Sequence, residues 1–446
     1  MSATTLIRSA LVVNEGRSVQ ADVLLRGGRI DRIAPEGIGS AAGAIEVEAT
    51  GHWLLPGVID DQVHFREPGL THKDDIAHGS AAAVAGGVTS FMEMPNTQPQ
   101  TLTQELLEEK YRLGAARSVA NYSFYMGVGS TNLDEVLRTD PRTVCGLKAF
   151  LGSSTGDMVI SDERVLDELF RKAHLLLAIH AEDDPTIKAE LDKALARYGP
   201  DIPITEHPHI RSAEACFRSS SAAVERARTF GTRLHVLHIS TARELALFDP
   251  GPLEGKRITA EACVHHLWFD DEAYRTLGAR VKWNPAIKTA ADREAIRNAV
   301  REGRIDVVAT DHAPHTLEEK ARPYTQCPSG GPLVQHSLVA MLELARQGVF
   351  TVEQVVEKLC HAPARMFAIG DRGHIREGYA ADLVLVDPDA PWTVDRAGLE
   401  YKCGWSPFEG QRFHARVLRT WVNGHLAYAD GRVRHEVRGE RLRFDR

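Results

Sequence analysis

Eight short apolar runs, each followed by a stretch of helical pattern, constrain this chain of 446 residues more than any other feature. They cover residues 54–60, 89–95, 122–128, 145–150, 175–182, 234–240, 258–263 and 306–312. A strand that is apolar almost throughout is buried on both faces, and alternation with helices supplies the cover. Eight such units in roughly 260 residues suit a closed (β/α)8 barrel, an α/β architecture. An open doubly wound sheet is the rival. It ordinarily carries Gly-x-Gly-x-x-Gly after its first strand, and none occurs here.

The chain ends have another texture. Residues 6–13, 22–26, 29–33 and 44–47 read as short strands broken by Gly27-Gly28 and Pro35-Glu36-Gly37. Residues 382–386 and 417–422 are also strand-like, and Asn423-Gly424 is a strong hairpin signal. Neither end alone has enough strands for a covered core. Residues 1–55 and 375–446 are therefore expected to pair into one small β-sandwich domain beside a barrel of residues 56–374.

Composition narrows the class. The chain is 43% hydrophobic and 26% charged, as soluble globular proteins are. Its net charge of -8 is spread without a basic stripe, which argues against nucleic acid as a partner. The six cysteines form no Cys-x-x-Cys pair, so zinc ribbons and redox motifs are not expected. No signal-peptide pattern opens the sequence, and no apolar run approaches the roughly 20 residues that span a bilayer. A cytoplasmic location with no membrane partner is the expectation.

The polar residues are more telling. Six of the runs end in, or are closely followed by, a residue able to bind metal or substrate: His64, Asn96, Lys148, His180, His238 and Asp311. In a barrel these positions meet at the C-terminal rim, where active sites of this fold lie. A lone histidine in an apolar run is usually a hydrogen-bonded core residue. Several at the same end of successive strands point to metal binding.

The cluster Asp60-Asp61-Gln62-Val63-His64-Phe65-Arg66-Glu67-Pro68-Gly69 resembles the amidohydrolase superfamily and, within it, the dihydroorotases. The likeness continues through Met94-Pro95-Asn96-Thr97, Gly146-Leu147-Lys148-Ala149-Phe150 and His235-Val236-Leu237-His238. It extends to Asn284-Pro285, Thr310-Asp311-His312-Ala313-Pro314-His315 and Gly378-Tyr379-Ala380-Ala381-Asp382. Any one of these is weak, but their order and spacing are specific. The resemblance implies two divalent metal ions, usually zinc, bridged by hydroxide and by Lys148 carboxylated with CO2. Within it, His180 and His238 match ligands of the second ion. His64 and Asp311 match ligands of the first, with Asp311 also the catalytic proton shuttle. Arg66 and Asn96 match the groups that hold the substrate carboxylate, a task suited to a guanidinium fork. Asn284, His315, Ser329 and Gly330 match further substrate contacts, although Pro328-Ser329-Gly330 stands where many relatives have Pro-Phe-Gly. The implied reaction is reversible cyclisation of N-carbamoyl-L-aspartate to dihydroorotate, in de novo pyrimidine biosynthesis. Allantoinase or hydantoinase activity on another cyclic ureide is the alternative, as is a non-catalytic partner of another pyrimidine enzyme. A homo-oligomer is compatible with the resemblance.

One departure matters. The superfamily pattern is His-x-His, and Gln62 occupies the first position. An amide oxygen is a weaker zinc ligand than imidazole, so the first site is expected to be weaker or completed by Asp60 or Asp61. Among lesser motifs, Gly152-Ser153-Ser154-Thr155-Gly156 formally matches a serine nucleophile elbow but is short and common by chance. His265-His266 is expected to pack behind the site. His207-Pro208-His209 reads as a polar loop near the mouth, residues 79–87 as a small-residue helix, and Glu318-Glu319-Lys320 as a solvated helix start.

Overall fold

The computed structural model describes residues 4–152 and 158–446. Five strands open the chain: β1 (Thr5–Asn14), β2 (Arg17–Arg26), β3 (Arg29–Ala34), β4 (Ile45–Glu48) and β5 (Trp53–Pro56). The barrel strands are β6 (Val58–Val63), β7 (Val88–Glu93), β8 (Asn121–Phe124), β9 (Met126–Gly127), β10 (Leu147–Phe150), β11 (Leu177–His180), β12 (Leu234–Val236), β13 (Ile258–Cys263) and β14 (Val307–Ala309). The C-terminal strands are β15 (Leu383–Asp387), β16 (Trp392–Thr393), β17 (Arg412–Phe413), β18 (Arg416–Val422), β19 (His425–Ala429) and β20 (Arg432–Val433).

Each of the eight apolar runs reaches a barrel strand, the first of them (54–60) beginning on β5 of the end sheet and running into β6. β6, β7 and β8 pair in parallel, and β9 to β14 form a second parallel set in sequential order. β8 and β9 are one strand interrupted at Tyr125, which joins the two sets. The ring closes where Val63 bridges His312 and the His64 amide donates to the His312 carbonyl at 2.7 Å. Every residue of β6, β7, β8, β10 and β11 is buried, including polar ones such as Asp60, Asp61, Gln62, Glu93 and Lys148, so none of these strands has a solvent face.

Helices cover the barrel where the sequence allows close approach. α1 (Ile76–Ala85) is capped by the Asp75 side chain, which accepts from the His78 amide at 2.9 Å. Its alanine-rich body is buried along almost its whole length. At Gly79 any Cβ would sit 2.4 Å from the Phe65 ring, so the small-residue stretch is a packing requirement. α2 (Gln104–Arg117) starts at Thr103, whose hydroxyl accepts from the Leu106 amide. Phe65 and Phe91, with ring centroids 4.6 Å apart, anchor this side of the core. Each is worth about 1.5–3 kcal/mol through burial.

Strands from both chain ends enter one sheet, in the order β20-β19-β18-β15-β5-β1-β2-β3, with β4 paired to β1. The seam is β5, parallel to β1 and antiparallel to β15. Asn423 and Gly424 turn β18 into β19 with φ of 51° and 72°, as a tight hairpin needs. The pairing is that of one continuous sheet, so the expected sharing of strands between the ends is observed, while a sandwich is a finer description than the pairing gives. Among the described residues no helix is long and apolar enough to cross a membrane.

Candidate metal and substrate site

The predicted ligands converge on the barrel interior at the strand ends. Asp311 Oδ1 lies 3.2 Å from His64 Nε2 and accepts from Gln62 Nε2 at 3.2 Å. The other His64 nitrogen, Nδ1, is 2.8 Å from Asn96 Oδ1, so Asn96 orients the imidazole. Across the barrel, His180 Nδ1 and His238 Nε2 are 3.1 Å apart. Lys148 is 1% exposed, and its Nζ makes no hydrogen bond among the described residues. That amine is held 4.5 Å above the Phe150 ring.

The electrostatics fit cations. Burial pulls the Lys148 ammonium down to about 7, against the opposing influence of Asp311 and Glu261. Burial likewise pushes the Asp311 carboxyl up to about 7, although His180, Lys148 and Arg66 favour its charged form. The His64 and His238 imidazoles are driven well below their ordinary range, first by burial and then by neighbouring cations. A neutral imidazole is the metal-binding form. His238 Nδ1 is a further buried atom without a hydrogen bond among the described residues, and His180 Nε2 lies 3.1 Å from Glu182 Oε2. A buried amine and imidazoles left unpaired are costly unless something else engages them. This donor set therefore fits divalent cations.

The backbone is strained at the same place. Arg66, His238 and Asp311 adopt φ of 65°, 41° and 47°, a region that costs a non-glycine residue about 1–3 kcal/mol and clusters at functional sites. Arg66 is 2% exposed and donates from Nε to the Pro314 carbonyl at 3.1 Å. Its Nη2 is 3.0 Å from His315 Nε2, which is also 3.0 Å from the Ser329 carbonyl. Gly330 is locked by its amide to the Lys282 carbonyl at 2.7 Å, and at φ 124° a Cβ there would meet the Ala313 carbonyl. Arg66, His315 and Ser329 thus form one connected group. Among the described residues the buried Asn284 Oδ1 has no hydrogen-bond partner, but Asn284 follows Trp283, whose indole donates to the Asp311 carbonyl at 3.3 Å.

Several expectations need correction. Asp60 and Asp61 do not complete the first metal site. Asp60 accepts from the Thr310 hydroxyl at 2.6 Å and the Gln62 amide at 3.2 Å, while Asp61 faces His235. His207 is not in an open polar loop. It is buried, with its ring nitrogens 2.8 Å from the Tyr324 hydroxyl and 2.6 Å from the Trp283 carbonyl. The 317–320 helix does start with a capping box between Thr316 and Glu319, but Lys320 is buried and donates to the carbonyls of Lys282, Pro328 and Gly330. His265 stacks on Trp283 at 4.4 Å, and His266 is 3.2 Å from the Pro285 carbonyl, so this pair packs behind the site as expected. Ser154 of the nucleophile-like motif lies outside the described residues. Two participants went unnoticed in the sequence. Lys73 reaches His315 Nδ1 at 3.0 Å, and Cys263 Sγ lies 3.7 Å from Gln62 Oε1. The only signal for Lys73 was its nearness to Arg66 along the chain.

This barrel with a polar, cation-fitting rim is matched by comparison. Residues 53–427 match the amidohydrolase family model. The chain is 37% identical over 429 residues to a dihydroorotase of Halobacterium salinarum, covering 93% of this chain and 98% of that protein. It is 32% identical over 440 residues to an allantoinase of Bacillus velezensis, covering 97% and 95%. In fold it matches an L-hydantoinase (dihydropyrimidinase) from Arthrobacter aurescens with a TM-score of 0.93 at 24% identity, over 99% of this chain and 100% of that one. The chain belongs to the amidohydrolase family. Within that family it is a metal-dependent cyclic amidohydrolase.

Proposed function

We propose that this enzyme is a dihydroorotase that interconverts N-carbamoyl-L-aspartate and dihydroorotate. The observation that carries the reading is Arg66. A guanidinium buried at the rim, fixed through Nε and backed by His315, is built to meet a carboxylate, which hydantoin lacks. The 37% identical dihydroorotase supports the same choice, while the allantoinase relative keeps a ring-opening reaction on allantoin as the second reading.

In this reading His64, Lys148, His180, His238 and Asp311 would hold two divalent metal ions, zinc by the resemblance although manganese and cobalt accept the same donors, with Gln62 beside the first. When bound, such ions supply Lewis acidity that polarises a ring carbonyl and acidifies water near neutral pH. Lys148 reacts as its neutral amine: its nitrogen forms a bond to the carbon of CO2 and loses a proton, giving a carbamate anion. Arg66 and Asn96 grip the substrate carboxylate, and Asn284, His315, Ser329 and the Gly330 backbone orient the ring. Asp311 takes a proton from the attacking water on a carboxylate oxygen and returns it to the ring nitrogen as the amide bond breaks. The reverse sequence closes the ring. The same reading divides the chain into a barrel of residues 56–374 and a composite domain of residues 1–55 with 375–446.

The test is a parallel assay of metal-supplemented protein on dihydroorotate, allantoin and hydantoin. Turnover of dihydroorotate that falls sharply in Arg66→Ala supports the assignment. Turnover of allantoin or hydantoin with dihydroorotate left untouched overturns it.

A further inference from the structure

Deeper in the barrel, Asp61 of β6, His235 of β12 and Glu261 of β13 bring one ligand atom each within 4.8 Å of one another. All three side chains are 0% exposed. None belongs to the set that the rim chemistry uses. Both Asp61 oxygens, Glu261 Oε2 and His235 Nε2 make no hydrogen bond among the described residues. His235 Nε2 points into the gap, 3.4 Å from Asp61 Oδ2 and 3.7 Å from Glu261 Oε2.

We propose that Asp61, His235 and Glu261 form a structural site for one divalent cation, separate from the rim site. Three features carry this. First, the spacing is too wide for a charge-assisted hydrogen bond, which closes to about 2.7–2.9 Å. It suits three ligands around an ion: nitrogen and oxygen donors at about 2.1 Å in tetrahedral array lie roughly 3.4 Å apart. Second, the imidazole is oriented for ligation. His235 Nδ1 is 2.8 Å from Thr259 Oγ1, whose own proton goes to the Leu234 carbonyl at 3.3 Å. Thr259 therefore accepts from Nδ1–H and leaves the Nε2 lone pair facing the carboxylates, an arrangement characteristic of metal-bound histidine. Third, two carboxylates face each other without solvent, and a divalent cation with a neutral imidazole balances their charge.

The site has a structural consequence. Glu261 Oε1 accepts from the backbone amide of His238 at 3.0 Å, and Tyr125 donates to the Asp61 carbonyl at 3.1 Å. An ion on Asp61 and Glu261 ties β6 to β12 and β13 beneath the rim and holds His238 in its left-handed conformation. The competing occupant is a proton, which would make His235 an imidazolium between the two acids.

Two measurements decide between them. The first is bound zinc per chain after chelation, reloading and desalting, comparing wild type, Asp61→Asn, and a variant with His64, Lys148, His180, His238 and Asp311 all replaced by Ala, which removes the rim ligands. The site predicts that Asp61→Asn binds one ion fewer than wild type and that the rim variant still retains an ion. Equal zinc in wild type and a folded Asp61→Asn overturns it. Because Asp61→Asn could impair folding, the second measurement uses the unaltered enzyme: anomalous diffraction at the zinc edge from zinc-loaded crystals. A peak within bonding distance of His235 Nε2 and both carboxylates establishes the site. A zinc-free gap with His235 closing onto Asp61 as an ion pair overturns it. Neither result depends on which cyclic ureide the enzyme opens.

Discussion

Gln62 donates its side-chain amide to Asp311 Oδ1, the oxygen that also lies 3.2 Å from His64 Nε2. Its own amide oxygen faces Cys263 Sγ instead. In the proposed two-metal reading Gln62 therefore acts on the first site by holding Asp311, with its nitrogen rather than its oxygen toward the carboxylate.

Restoring imidazole at this position should tighten the first site. Gln62→His is expected to raise metal affinity by about tenfold or more, the scale on which ligand and supporting-residue changes act. Competition against a graded series of chelators measures it. Equal or weaker retention in the variant would show that the pocket around Asp311 and Cys263 has no room for the ring.

Arg66 offers a sharper test of substrate choice. Removing a hydrogen-bonded charge partner costs about 1.5–3 kcal/mol, which is roughly 10–150-fold in kcat/KM. Arg66→Lys keeps the charge but loses the planar fork, so it should recover only part of the loss. Steady-state kinetics on dihydroorotate would read both. Full recovery by lysine would mean that charge alone, not paired geometry, holds the carboxylate.

The sheet at the chain ends gives a pH prediction far from the metal ligands. Asp22 accepts from the amides of Ser9 and Ile38, each at 2.8 Å, and pairs with Arg8 at 3.2 Å. Burial favours its neutral form, but these bonds outweigh it and hold the carboxyl below its ordinary value. A depressed folded pKa stabilises above the unfolded value, about 3.9, and that contribution is lost as pH falls through the folded one. Asp22→Asn should therefore lower Tm at pH 7 more than at pH 3. A constant difference across that range would show that the variant acts through packing around Ser9 and Ile38.

How much of this was readable beforehand follows from what burial does to a pattern. The barrel strands were legible because both faces of β6, β7 and β10 are buried, leaving mostly apolar runs in which a metal-binding residue within or just beyond the strand is conspicuous. His64, Lys148, His180, His238 and Asp311 stood out for that reason. The Asp61, His235 and Glu261 group did not, because their approach depends on three strands far apart in sequence curving to one centre. His207 misled for the opposite reason. Its neighbours along the chain are polar, yet Tyr324 and Trp283 arrive from distant segments to bury it. Lys320 is the same case, since the three carbonyls it satisfies belong to residues brought together by a loop whose path the sequence does not state.

The buried pair beside the rim carries the last prediction. Lys110 of α2 sits 2.5 Å from Glu93 at the end of β7, and both side chains are essentially unexposed. The same ammonium donates to the Met94 carbonyl at 3.0 Å, two residues before Asn96, so the pair also fixes the segment that carries Asn96. Breaking one half leaves an uncompensated charge, whereas replacing both with apolar residues removes the problem. Lys110→Met should cost about 3–5 kcal/mol, and adding Glu93→Leu should recover a large part of it. Urea denaturation of the two variants measures the difference. If the double variant is no more stable than the single one, the hydrogen bond from Lys110 to Met94, not relief of the isolated Glu93 charge, is what fastens α2 to the barrel.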